Sequence, residues 1–198
     1  MRVIPIVLLI IAIGLLANGS YIHVKAQLAQ WLISHAWLQS TDGNSQIKPW
    51  PWADTWPVAK LSVADHDIEQ YVLAGVSGES LAFGPGYVFS SARPTERGNT
   101  IIAAHRDTHF TFLQEIQRGQ IIKVQTREGR SRDYVVEELR IVDKTDVSWL
   151  EDSSALHQLT LVTCYPFYSL ELGGRLRYVV RAVSLPQYQA ESPVKLPA

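Results

Sequence analysis

From residue 59 onward, the chain alternates between short runs rich in Val, Ile and Leu and turns that contain Gly, Pro, Asp or Ser. Short β-type runs at close spacing are typical of an all-β barrel or sandwich. One short helix is expected at 111–117, and Gly119, two positions later, is expected to end it. The predicted strands are 59–63, 69–74, 100–104, 120–126, 133–143, 159–163 and 176–184.

A mostly apolar stretch without a charged residue lies between Arg2 and Lys25. Residues 3–22 supply the roughly 20 positions that a membrane-spanning helix needs. A cleaved signal peptide is the rival interpretation, although the small residues at 17–19 fit a cleavage site only loosely. We expect an uncleaved anchor at 1–23. Arg2 predicts a cytoplasmic N-terminus, with the rest of the chain on the extracytoplasmic side of the inner membrane.

The segment 24–58 is predicted to join this anchor to the strand-rich domain. Apolar residues at helical spacing predict that a helix continues outward to about residue 38, before a linker of turn-forming residues at 39–46. Three prolines in the tryptophan-rich run 49–57 exclude a central strand or helix. We interpret this run as an extended strap whose tryptophans pack on the domain; a peptide-binding or membrane-interface patch is the alternative. The tail at 186–198 is expected to be loose.

Composition excludes one broad class of function and draws attention to one residue. The formal net charge of the 198-residue chain is −1, which gives no electrostatic argument for binding nucleic acid. Cys164 is the only cysteine in the sequence, so it cannot form an internal disulfide. In an exported protein, such a thiol is a buried small side chain, an intermolecular partner or a reactive nucleophile.

Three residue types that cooperate in acyl transfer occur at boundaries of the predicted strands. Cys164 ends one strand, His105 follows another, and Arg175 and Arg177 flank the start of the last. A thiol attacks as the thiolate, which a nearby imidazole promotes, and the same imidazole can protonate a leaving amine. A guanidinium is always charged and suits the oxyanion of an acyl-transfer intermediate. The residue types indicate cysteine-dependent acyl transfer, and structural roles for each of them remain the alternative.

The sequence around these residues resembles the sortase family. It contains an (A/G)-H-R-x-x-x-F-x-x-L stretch at His105, the run T-L-V-T-C that ends at Cys164, and an arginine that begins the final strand. The similarity covers about 61–183, and the strap, with HRDTHF and TCYPF, further resembles the proteobacterial subgroup of sortases. The resemblance implies a mostly β fold, with a closed eight-stranded sortase-type barrel and short helices at 59–185. It also implies a membrane-anchored cysteine transpeptidase.

Carried over by this resemblance, Cys164 is the nucleophile and His105 the general acid and base. Arg177 is preferred to Arg175 as the oxyanion donor, because it directly precedes an apolar run and lies 13 positions after the cysteine, as is common in sortases. Side-chain direction does not separate the two arginines, because residues two apart in a strand share a face.

Four further positions matter to this resemblance. Thr163, Arg175 and His109 are candidates for positioning the substrate. Many sortases have glycine before the histidine, where this chain has Ala104, and we expect a modest adjustment of the backbone there.

The resemblance also implies the substrate, a partner protein with an LPxTG-like signal near its C-terminus. Cys164 would attack the threonine–glycine bond, and the thioacyl enzyme would pass its acyl group to an amine or to water. No cofactor and no calcium dependence are predicted. His105 and His109 stand four positions apart, as two metal ligands on a helix would, but no third ligand lies nearby in sequence. We therefore predict no metal site.

Two other functions compete with this one. L,D-transpeptidases are also exported cysteine enzymes on a β scaffold, but they have a His-Gly-Cys-x-Arg-like sequence, and here Cys164 follows Thr163. The second alternative is a non-catalytic, membrane-anchored β-barrel that binds peptide or lipid through its tryptophan strap.

Overall fold

In a computed structural model, which describes residues 24–40, 46–150, 157–169 and 173–184, eight strands close into one barrel in the order β1-β2-β3-β4-β7-β8-β6-β5. Residues 24–39 form helix α1, and Gly78–Phe83 form helix α2. Turns of 3₁₀ helix occur at Ala64–His66, Thr111–Gln114 and Ser148–Leu150. The strands are β1 (Pro57–Val63), β2 (Ile68–Ala74), β3 (Gly86–Tyr87), β4 (Gly98–Ala103), β5 (Ile121–Thr126), β6 (Ser131–Asp143), β7 (His157–Tyr165) and β8 (Leu176–Ser184).

Two parallel pairs set the direction of the strands. β2 pairs with β3 and β4 pairs with β7 in parallel, whereas the other neighbours around the barrel are antiparallel. The carboxyl ends of β4 and β7 therefore meet at one end of the barrel, where antiparallel β8 begins. The strand boundaries that carry His105, Cys164 and Arg177 all lie at this end of the barrel.

The strands alternate between an inner face that fills the barrel and an outer face. On β1, every second residue is buried, and Leu61 and Val63 are fully enclosed. On β7, Leu159 and Leu161 point into the same core, and Tyr134 of β6 fills it from another wall. This period of two is the packing that a closed barrel requires.

The observed strands confirm the predicted fold class, and each predicted strand overlaps an observed one. The sequence interpretation missed β3 and α2. β3 is only two residues long, too short to give a periodic pattern. Its Gly86 passes so close to the backbone that an added Cβ would collide with the carbonyl oxygen of Gly75. The helix expected at 111–117 is a shorter 3₁₀ turn at Thr111–Gln114.

The segment before the barrel packs on its outer wall. Ile33 of α1 is buried, and the Trp37 ring lies 5.8 Å from that of Tyr71 on β2. In the strap, the Trp50 ring contacts Phe83 at 5.0 Å, which confirms the interpretation that the strap tryptophans pack on the domain. Trp52 is the exception, with 79% of its surface exposed.

The strap also leads directly into the barrel. The backbone N–H of Ala74 donates to the Trp56 carbonyl oxygen at 2.8 Å, and the Thr55 hydroxyl donates to the Ala74 carbonyl oxygen at 2.8 Å. Pro57 is the first residue of β1, a strand position that tolerates a residue without an N–H.

Within the described residues, no helix has both the length and the apolar character needed to cross a bilayer. The predicted anchor at 1–23 and the predicted tail at 186–198 lie outside the described residues.

Candidate active site

Cys164 and Arg177 face each other across two neighbouring strands. Antiparallel pairing of β7 with β8 puts them in direct register, which brings the Cβ atoms of such a pair within about 4.5–5.5 Å. Alternation from the inward-facing Leu161 puts Cys164 on the outer face of the barrel, like Val162. Cys164 is partly exposed there. A partly exposed thiol beside a guanidinium is accessible to a peptide.

His105 reaches the same place from β4. The parallel register aligns Ala103 with Val162, and the N–H of Ala104 donates to the Val162 carbonyl oxygen at 3.2 Å. His105 is the next residue, so it stands beside Cys164 although 59 positions separate them in the sequence. Its side chain is exposed. The pairing therefore brings the three residues that the sequence singled out to one edge of the outer face.

Hydrogen bonds hold the backbone on both sides of His105. The Thr163 hydroxyl, which is buried, donates to the Ala104 carbonyl oxygen at 2.7 Å. The N–H of Phe110 donates to the His105 carbonyl oxygen at 3.0 Å, and the Phe110 ring is fully buried in the core. The Ala104 methyl group lies in the same core. The buried Thr163 hydroxyl is therefore bonded to the backbone that carries His105.

We predict that Thr163→Val lowers the rate of peptide cleavage more than a matched substitution that causes the same loss of unfolding free energy. Valine keeps the shape but leaves the buried Ala104 carbonyl without its donor, which costs about 1–3 kcal/mol of unfolding free energy. Thr160→Val is the matched control, because that buried hydroxyl on the same strand donates to Asn99 Oδ1 at 2.8 Å, away from His105. Chemical denaturation and peptide-cleavage rates should show similar stability losses and a larger rate loss for Thr163→Val. Equal rate losses would contradict a role for Thr163 in positioning His105.

The structure gives Arg175 and Arg177 different surroundings. β8 begins at Leu176, so Arg175 precedes the strand, and the rule that residues two apart in a strand share a face does not apply to this pair. Arg175 is highly exposed and forms an ion pair with Asp143, which holds the pKa of that carboxyl well below its usual range. Arg177 is half-buried, and its Nη1 donates to the carbonyl oxygens of Gly174 at 2.6 Å and Leu176 at 2.9 Å. These bonds hold the guanidinium at the start of β8, and no described residue accepts a hydrogen bond from its Nε or Nη2.

His109, four positions after His105, contacts β2 and α2. The Gln70 side-chain amide donates to its carbonyl oxygen at 2.8 Å. Burial lowers the pKa of the His109 imidazole, and nearby His105 acts in the same direction, while a hydrogen bond with the Ala82 backbone opposes them. Burial and nearby His105 therefore both disfavour a positive charge on His109.

Arg106 is a site residue that the sequence interpretation undervalued. The sequence interpretation assigns it no role, but its side chain is buried and its Nη2 donates to the Ser169 carbonyl oxygen at 2.7 Å. It therefore connects the segment after His105 with the segment after Cys164. The only signal in the sequence was its position beside the histidine.

Two apolar surfaces adjoin the thiol. On its own outer face, Ile101, Val162 and Val179 form a buried cluster that Trp149 covers. Val162 is two residues from Cys164, about 7 Å along the strand. Around the strand end, a cavity of about 520 Å³ is lined by aromatic residues that follow Cys164 and by Tyr178. The rings of Tyr165, Phe167 and Tyr178 contact one another there, with centroids 5.3–6.2 Å apart.

Metal binding has no candidate in the part of the chain that the structure describes. Among those residues, no three His, Cys, Asp or Glu side chains lie close enough together to hold an ion.

Comparison with known proteins assigns the family. The family model described as "Sortase domain" matches residues 61–185, more than half of the chain. The chain therefore belongs to the sortase family, whose members are cysteine transpeptidases.

The individual relatives agree with this assignment. Sortase D of Bacillus subtilis (strain 168) is 30% identical over 107 residues, which are 54% of this chain and 54% of that protein, so the match spans about half of the relative. A Clostridium perfringens Sortase D5 transpeptidase superposes with a TM-score of 0.59 at 24% identity, over 66% of this chain and 80% of that one. Sortase A from Corynebacterium diphtheriae gives 0.63 at 23% identity, over 76% and 70%. These structural likenesses show the shared fold.

Proposed function

We propose that this protein is a membrane-anchored cysteine transpeptidase that cleaves an LPxTG-like sorting signal near the C-terminus of a partner protein. The observation that carries the proposal is the register of three strands, which brings Cys164, His105 and Arg177 to one edge of the outer face. An anionic nucleophile, an imidazole and a fixed guanidinium at one edge are what acyl transfer through a thioester requires.

In the first half-reaction, the Cys164 thiolate attacks the carbonyl carbon of the threonine–glycine bond. The Nε and Nη2 groups of Arg177 stabilise the oxyanion, and the bonds from Nη1 to the backbone hold the guanidinium in place beforehand. His105 then donates its proton to the glycine nitrogen as the carbon–nitrogen bond breaks. The products are a thioester on Cys164 and a free glycine amine.

In the second half-reaction, an amine replaces the glycine. His105, now neutral, takes a proton from the incoming amine as its nitrogen attacks the thioester carbonyl. Collapse of the intermediate expels the Cys164 thiolate and leaves a new amide bond. Water in place of the amine gives hydrolysis. No step needs a cofactor.

The surroundings of the thiol support a peptide with apolar residues before the threonine. The cavity lined by Tyr165, Phe167 and Tyr178 begins at the residue after Cys164. A leucine and a proline would remove apolar surface from water there, which contributes about 25 cal/mol per Å² buried.

The location of the enzyme and its subgroup belong to the same proposal. The apolar stretch at 3–22 supports a single-pass inner-membrane anchor with a cytoplasmic N-terminus and a periplasmic barrel. The strap, together with HRDTHF and TCYPF, supports membership in the proteobacterial subgroup of sortases.

The competing functions differ in what they require of the thiol. A non-catalytic barrel that binds through its strap gives no reason for an arginine in register with Cys164. An L,D-transpeptidase places glycine between histidine and cysteine in its sequence, whereas here the two residues come from different strands.

The test is to incubate the protein with a panel of LPxTG-type peptides and to look for the thioacyl adduct by mass spectrometry. We expect a mass increase equal to the peptide up to its threonine, located on Cys164, with release of the glycine-bearing fragment. Added hydroxylamine should convert the adduct to a hydroxamate. Absence of any adduct across the panel, with the thiol shown to be free by titration, would refute the proposal.

A further inference from the structure

Helix α1 has two apolar stripes on different sides. The first packs on the barrel and consists of Ala29, Ile33 and Ala36, all buried. The second consists of Val24, Leu28 and Trp31, which are 67%, 53% and 60% exposed. Both stripes have the spacing of four and three that aligns residues on one helix face. At about 100° per residue, the centres of the two stripes are roughly 140° apart.

The second stripe is unusual for a helix surface in contact with water. Such a surface normally consists of charged residues, but within α1 only Lys25 carries a charge, and there is no Asp or Glu. The Trp31 ring stacks on His35, with centroids 5.5 Å apart, one helical turn farther on. The exposed side of α1 also carries glutamines, among them Gln27 and Gln30, but its stripe from Val24 to His35 is apolar and aromatic over about three turns.

We propose that this stripe lies in the interface of the membrane, so that α1 runs along the bilayer surface with the barrel on its other side. The proposal rests on the membrane anchor of the proposed function. The uncharged stretch at 3–22 ends two positions before Val24, so a chain that leaves the bilayer there cannot move the first turns of α1 far from it. Tryptophan favours the interface, and Lys25 can extend toward lipid phosphates.

This orientation decides which way the active site faces. α1 contacts β2 through Trp37 and Tyr71. In the order of the closed barrel, β8 lies four positions from β2 in either direction, on the opposite wall. Arg177 and its partner Cys164 would then face away from the lipid, toward the compartment from which a folded partner protein presents its sorting signal.

The lone cysteine makes this inference testable in the full-length chain. In a Cys164→Ser background, Leu28→Cys and Trp31→Cys each provide one site for a nitroxide label. Val147→Cys is the matched control, because that apolar side chain is 58% exposed in the segment after β6. The labelled proteins are reconstituted into vesicles of phosphatidylethanolamine and phosphatidylglycerol, and collisions with oxygen and with a water-soluble nickel chelate report depth.

We expect the labels at 28 and 31 to lie about 5–10 Å into the boundary between headgroups and acyl chains, and the label at 147 to be in water. Equal nickel access at all three positions, in protein that floats with the vesicles, would overturn the inference and leave the anchor intact. Spin–spin broadening at 28 and 31 that disappears on dilution with unlabelled protein would instead assign the stripe to a second copy. Failure to float with vesicles would overturn both the anchor and this inference. The adduct assay uses unlabelled protein, so its outcome is separate.

Discussion

Replacing Cys164 with alanine is expected to abolish both cleavage of the sorting peptide and formation of the adduct. The thiol is the group that bonds to the substrate, and neither His105 nor Arg177 can act as the nucleophile in its place. Removal of a nucleophile from a cooperating set lowers the rate by about 10⁴-fold or more. Liquid chromatography of the peptide products and the mass of the intact protein measure the two effects.

The control for this prediction separates chemistry from folding. Cys164 is partly exposed near the end of β7, so alanine there should leave the thermal unfolding temperature nearly unchanged. Cys164→Ser keeps a polar atom in place and should also be inactive, because a hydroxyl is far less acidic than a thiol. A Cys164→Ala protein that still cleaves the peptide would show that Cys164 is not the nucleophile and would favour a different catalytic interpretation of this barrel.

Replacing Arg177 with alanine is expected to lower kcat by about 10²–10³-fold, the usual effect of removing one oxyanion donor from a preorganised site. Arg177 is in register with Cys164, and its two bonds from Nη1 hold the guanidinium before substrate arrives. Because the oxyanion exists only in the transition state and the intermediate, KM should change less than kcat. Steady-state kinetics with a fluorogenic sorting peptide distinguish the two parameters.

Arg175→Ala is the matched control, two positions away on the same segment. Its guanidinium is exposed and pairs with Asp143, and exposed pairs of this kind contribute little. We expect kinetics close to those of the unchanged protein. Arg177→Lys tests geometry, because lysine keeps the charge but loses the planar fork, and it should recover only part of the rate. A large rate loss in Arg175→Ala with none in Arg177→Ala would reverse the assignment of the two residues.

The sequence predicted the strands better than it predicted their connections. A period of two is a local property that each strand displays in its own residues, so seven strands were recognisable. β3 has two residues and depends on its neighbours, with Gly86 against the Gly75 backbone. A two-residue strand such as β3 has no local sequence pattern by which it could be predicted, because its position depends on the strands beside it.

The same distinction applies to the arginines of the site. The residues around Arg177 favoured it through resemblance, but the strand-face argument could not separate it from Arg175. The separation came from where β8 begins and from Asp143 on β6, which lies 32 positions earlier in the chain. Arg106 is a similar case, because its burial depends on the distant Ser169 carbonyl.

By itself, the sequence determined the residue types, their order and the all-β class, and its resemblance to sortases indicated Cys164 and His105 as the reacting pair. The tertiary structure alone decided that they are neighbours, that they open on the outer face, and that Thr163 and Phe110 fix the histidine backbone. The physical reason is that closing a barrel pairs strands far apart in the chain. Parallel pairing of β4 with β7 turns a separation of 59 positions into adjacency, and such non-local contacts leave no periodic trace in either strand.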